Sequence, residues 1–160
     1  MQPNEWIAHY STKDYEGTWT IAPLRAPAGL STAIWSTPMP EIFQNTEILE
    51  RCAYFQEVIA TIECVTTSVR LMKLDPGAEI KEHEDSLGED EARLHVPILT
   101  NPNVDFYLEG ERVEMAAGSC WYLDFTKPHR VVNNGAEPRV HMVIDCIRND
   151  WLNGISETKR

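Results

Sequence analysis

With 160 residues, 42% of them hydrophobic, the chain suits one core and predicts a single domain over residues 1–160. Its 25 acidic against 14 basic residues give a formal net charge of −11, which repels a phosphate backbone and argues against a nucleic-acid partner. The opening MQPNEWIAHY has no basic stretch followed by an apolar one, and no run nears the roughly 18 apolar residues of a membrane span, so no membrane contact and a cytoplasmic setting are expected.

Residues 1–40 interleave Trp6, Tyr10, Tyr15, Trp19 and Trp35 with Pro23, Pro27, Gly29, Pro38 and Pro40, a mixture that predicts short strands and loops. In NTEILERCAYFQEVIATI the apolar positions Ile48, Leu49, Cys52, Phe55, Val58 and Ile59 recur at steps of three and four, with Asn45 or Thr46 available as N-cap. A helix or a broken pair of helices is expected there. Seven apolar runs follow: SVRLMKL, RLHVPILT, VDFYL, ERVEM, SCWYLDF, HRVVNN and RVHMVIDCI. The turn signals PG, NPN, EG, AAG and NNGAEP divide them, the pattern of an antiparallel sandwich or barrel. The fold class expected is therefore mainly β, a jelly-roll core over 61–150 with N-terminal strands and one or two flanking helices (1–60) packed on it. The final NDWLNGISETKR reads as one helical turn and a fraying polar end. Cys52, Cys64, Cys120 and Cys146 form no CxxC pair and are expected as buried thiols.

The stretch KEHEDSLGEDEARLHVP is unusual in setting histidines among carboxylates. On extended backbone His83 and Asp85 share a face, so an imidazole and a carboxylate aim at a common point. His129, which follows a turn proline and opens a later strand, is the best third ligand. Two imidazoles and a carboxylate form the facial set of non-haem Fe(II) oxygenases and leave three positions for co-substrate and dioxygen.

Two strands also repeat an Arg-x-His pair, Arg93 with His95 and Arg139 with His141. Each pair shares strand parity, so Val140, Met142 and Ile144 face away from Arg139 and His141. A buried guanidinium demands an anion, and a small dianion beside the metal would satisfy both pairs. The alternative is that Arg93 and Arg139 face solvent and pair with Glu89, Asp90 and Glu91. That acidic cluster is expected on a loop between strands, as a solvated surface or as a lid over the substrate.

Spacing adds a hint of the fold. Gly77 stands five residues before His83-x-Asp85, and Gly110 stands five before Ala116-x-Gly118, followed by His129 and Asn133. Both echo the paired motifs of cupin-type jelly rolls, a double-stranded β-helix with histidines at the barrel mouth.

From RLMKLDPGAEIKEHED through RLHVPILTNP, FYLEGERVEMAAGSCWYLDFTKPHRVVNNG and RVHMVIDC, the chain resembles the aspartyl/asparaginyl β-hydroxylase family of Fe(II)/2-oxoglutarate dioxygenases. EWIAHYSTKDYEGTWTIAPL resembles the segment preceding that core. The resemblance implies Fe(II) held by His83, Asp85 and His129, and the distal carboxylate of 2-oxoglutarate on Arg139, with Arg93 and His95 near the co-substrate. It departs from the peptidyl enzymes of the family in two places. They lack the carboxylate ligand that Asp85 supplies, as in the branch acting on free proline, and Met72 stands where they offer a serine to 2-oxoglutarate. A small amino-acid-like substrate or an Asp/Asn residue of a peptide is implied, with Trp121, Arg130, Arg25 and Trp35 as candidate contacts. The rival expectations are a metal-dependent cupin enzyme of another reaction class, which leaves Arg139 without a purpose, and a non-catalytic small-molecule binder.

Overall fold

The computed structural model describes residues 1–157. In chain order its elements are β1 (Ile7–Ala8), β2 (Tyr15–Glu16), β3 (Trp19–Pro27), β4 (Phe43–Asn45), α1 (Glu47–Glu50), α2 (Ala53–Ala60), β5 (Thr66–Leu74) and β6 (Glu79–His83). There follow β7 (Glu91–Leu99), β8 (Val104–Leu108), β9 (Glu111–Arg112), β10 (Trp121–Tyr122), β11 (His129–Asn133), β12 (Arg139–Ile147) and α3 (Asp150–Glu157). One sheet runs β1-β3-β5-β12-β7-β10 with β4 beside β3, and the other runs β2-β6-β11-β8-β9. Strand pairing is antiparallel in both sheets. The result is the double-stranded β-helix expected from the evenly spaced apolar runs.

Period-two alternation builds two cores from the larger sheet. Leu71 of β5, Leu94 and Val96 of β7, and Val140, Met142 and Ile144 of β12 point outward. There they pack against Leu49 of α1, Phe55 and Val58 of α2, and Leu152 of α3. The opposite face closes on the smaller sheet, where Ile21, Leu74, Ile80, Phe106, Phe125 and Val131 form the inner core. β12 is therefore buried on both faces, which explains why its sequence is nearly continuous in apolar residues.

The helical periodicity between 45 and 62 resolves as the broken pair α1 and α2. Thr46 caps the first: its hydroxyl accepts from Leu49 N at 3.5 Å and donates to Pro23 O at 2.8 Å, tying the helix start to β3. Two expected strands shrink. ERVEM pairs only at Glu111 and Arg112, and SCWYLDF only at Trp121 and Tyr122. β8 and β9 join through Glu109 and Gly110, with φ of 50° and 80°, the two positive angles of a type I′ turn. The N-terminal region holds a longer strand than its prolines suggest, because β3 runs nine residues. Pro97 stands inside β7 where the β7–β12 register shifts, a position needing no ladder N–H.

α3 exceeds the single turn expected of the tail, since Leu152 docks fully buried in the outer core. The fraying polar end expected at 158–160 lies outside the described residues. Cys64 and Cys146 are buried free thiols, as expected, but Cys52 is only half-buried and Cys120 is exposed. Burial, with Cys64 adjacent, pushes the Cys146 thiol up to about 12.

Candidate metal centre and its cavity

β6 and β11 are neighbours, and their register places His129 directly opposite His83. β6 ends at His83. Asp85 is then held two residues on by its N–H donating to Phe125 O at 2.9 Å. Chain segments 46 residues apart thus deliver three side chains to one point. His83 Nε2 lies 3.3 Å and His129 Nε2 3.7 Å from Asp85 Oδ1, and one ligand atom from each residue falls within 4.8 Å of the others.

Each imidazole is oriented by the same device. His83 Nδ1 donates to Lys81 O at 2.8 Å and His129 Nδ1 to Lys127 O at 2.9 Å, both carbonyls two residues upstream. With the proton on Nδ1, each Nε2 presents a lone pair to the centre. Two nitrogen lone pairs and a carboxylate oxygen crowded together repel unless a cation lies between them. Ligands at roughly 2.0 to 2.2 Å from an ion stand about 3 Å apart in a facial set, near the separations here. The donor set therefore fits a divalent first-row metal.

Behind Asp85 runs a chain of buried charges. Arg93 Nη1 donates to Asp85 Oδ2 at 2.5 Å, and Arg93 Nε and Nη2 donate to Asp145 at 2.7 and 3.0 Å. Arg70 Nη1 completes it, donating to Asp145 Oδ2 and to Ser68 Oγ, each at 2.8 Å. Burial opposes ionisation of Asp85, but His83, Arg93 and His129 outweigh it and hold the carboxyl well below its usual range. Burial likewise opposes ionisation of Asp145, yet Arg70 and Arg93 bring it down to about 2. Because this pKa is depressed in the folded state, the stability it contributes is present above the unfolded value near 3.9. It is lost as pH falls toward 2, to the extent of roughly 2 kcal/mol. Urea unfolding at a series of pH values should show that loss, with a shallower acid limb in Asp145→Asn; equal slopes in the two proteins would assign the acid sensitivity elsewhere.

Arg139 differs from these arginines. It is 3% exposed, and among the described residues no carboxylate faces it. Its Nη2 donates to His141 Nδ1 at 2.9 Å while Nε has no hydrogen-bond partner among the described residues. Burial alone lowers its pKa to about 9. A guanidinium taken out of water without a counter-ion is costly, and an anionic ligand removes that cost. Since arginine only donates, His141 Nδ1 is an acceptor. The 3.2 Å contact from His95 Nδ1 to the same atom then requires His95 to donate. Burial first, then Arg139, holds both histidines neutral.

A cavity of about 400 Å³ joins the metal triad to Arg139, with Arg70, Arg93, His95 and Met72 also on its wall. Arg93 and Arg139 are thus neither solvent-facing nor partnered by the 89–91 cluster. Within that cluster Glu89 and Asp90 are exposed, but Glu91 opens β7 buried, its carboxylate accepting from Gly88 N at 2.9 Å. Of the four residues expected to contact substrate, Trp35 lines the cavity and three do not. Arg25 is engaged with Asn45 Oδ1 and Phe43 O, holding β4 to β3. Arg130 stacks over the Tyr107 ring at 4.2 Å, and Trp121 Nε1 donates to Ser119 Oγ at 2.7 Å. The cavity wall also includes His9, Tyr10 and Asp14, which no spacing in the sequence singles out. His9 reaches the wall by stacking on Trp19, ring centroids 3.8 Å apart.

Comparison with known proteins agrees with this architecture. The family model described as aspartyl/asparaginyl beta-hydroxylase matches residues 1–149. L-proline cis-4-hydroxylase of Rhizobium meliloti (strain 1021) is 28% identical over 135 residues, 81% of this chain and 48% of the relative, so the chain spans about half the length of that curated relative. Among solved structures, the plu4264 protein from Photorhabdus luminescens superposes with a TM-score of 0.53 at 14% identity, covering 100% of this chain and 95% of the other. A predicted oxalate decarboxylase from Thermotoga maritima gives 0.52 at 15% identity, covering 89% and 92%. At such identities these two structures speak to the fold alone.

Proposed function

Because this chain belongs to the aspartyl/asparaginyl β-hydroxylase family, we propose that it is an Fe(II)/2-oxoglutarate-dependent hydroxylase acting on a C–H bond of a free, proline-like amino acid. The observation that carries the reading is a single cavity bordered by His83, Asp85 and His129 and by an unpaired buried guanidinium, Arg139. Bound iron with 2-oxoglutarate supplies the oxidising chemistry. The protein residues bind, orient and exclude water.

In this reading Arg139 receives the distal carboxylate in bidentate fashion, ending the isolation of its charge. Met72 beside it offers no hydroxyl, so the clamp is the guanidinium with His141 behind it. Arg93 turns one Asp85 oxygen away from the centre and leaves the other for the metal. Trp35 and the His9–Trp19 stack form apolar walls where a small substrate would sit. A cavity of about 400 Å³ suits a diacid and an amino acid together. The presence of Asp85 and the similarity to a proline hydroxylase favour a free amino acid over a peptide.

The test is turnover: purified protein with Fe(II), ascorbate and 2-oxoglutarate, assayed for succinate and for hydroxylated amino acid across a panel beginning with L-proline. Amino-acid-stimulated succinate release with matching hydroxylated product is expected. Failure of the iron-loaded protein to bind or consume 2-oxoglutarate would overturn the assignment.

A further inference from the structure

A second cavity, about 420 Å³, opens at the other end of the barrel and touches none of the three metal ligands. Strand direction places it there. β11 pairs His129 with Leu108 and Asn133 with Val104, so the Val104 end lies four residues, roughly 13 Å, from the metal end. Thr100, Asn101, Val113 and Ala116 line the rear cavity, and His141 reaches it from β12. Among the described residues only Phe106 and Arg139 border both cavities. The partition between them is thus an aromatic ring and a buried guanidinium whose Nε has no partner among the described residues.

We propose that the rear cavity is the passage by which a small dicarboxylate reaches and leaves Arg139, bypassing the metal and the amino acid above it. This rests on the assignment of Arg139 as the holder of the 2-oxoglutarate carboxylate. With that carboxylate on the floor of the front cavity and the second substrate in its mouth, the diacid product is trapped beneath the hydroxylated product unless another route exists. The rear cavity supplies one, and it ends on the group that binds the diacid. Its rim does not retain an anion, because Arg112 is already engaged by Asp105 and Glu114.

The experiment measures 2-oxoglutarate binding to anaerobic Fe(II)-loaded protein by stopped flow, in wild type and in two plugged variants, Ala116→Trp and Thr100→Trp. Neither residue contacts the metal set. Association and dissociation are both expected to slow by about tenfold or more while Kd stays unchanged, since a plug alters the path and not the site. Wild-type rates in both variants, or a weakened Kd with unchanged association, would overturn the passage while leaving the hydroxylase assignment intact. Absence of 2-oxoglutarate binding in wild type itself would overturn both.

Discussion

Asp85→Ala is expected to abolish coupled hydroxylation and to weaken Fe(II) binding by at least about 100-fold, more than is typical of losing an outer-shell partner. The carboxylate is the anionic member of the set, and without it two neutral imidazoles must hold a dication alone. The variant should still fold, because Arg93 retains both contacts to Asp145. Anaerobic calorimetry with Fe(II), together with product formation, checks this. Unchanged metal affinity in a folded variant would mean that Asp85 serves only as the partner of Arg93.

Arg139→Met should have effects of opposite sign on two quantities. Affinity for 2-oxoglutarate falls by roughly 2 to 5 kcal/mol, about 30-fold to several thousand-fold, because the distal carboxylate would be buried opposite a thioether. Stability without ligand holds or rises, because the substitution removes a desolvated guanidinium for which the described residues offer no counter-ion. Binding titration and thermal unfolding of the unliganded variant read the two effects separately. A large drop in unliganded stability would show that Arg139 is structural; undiminished 2-oxoglutarate affinity would remove it from the binding site.

The parts legible in the sequence were those whose signal is local. The parity of Arg139 and His141 against Val140, Met142 and Ile144 separates the two faces of β12 as observed. The pairing of His83 with His129 follows once the runs containing them are treated as strands of one barrel. Longer-range relations were hidden. Arg70 and Asp145 sit inside SVRLMKL and RVHMVIDCI, runs read for their apolar content, and their bond spans 75 positions. Nothing near either residue announces the other. Arg25, Arg130 and Trp121 failed to reach the cavity because neighbours claim them: a carbonyl and an amide, a tyrosine ring, and a serine hydroxyl. The N-terminal wall of His9, Tyr10 and Asp14 comes from a segment whose only signal is aromatic and turn-rich composition.

The double burial of β12 has a kinetic corollary. A strand locked between helices on one side and ion pairs on the other has no partial opening open to it, so its amide protons should exchange with deuterium only when the whole molecule unfolds. Any ligand that settles beside it would then retard that exchange by the full free energy of binding, which makes those amides an inbuilt gauge of occupancy.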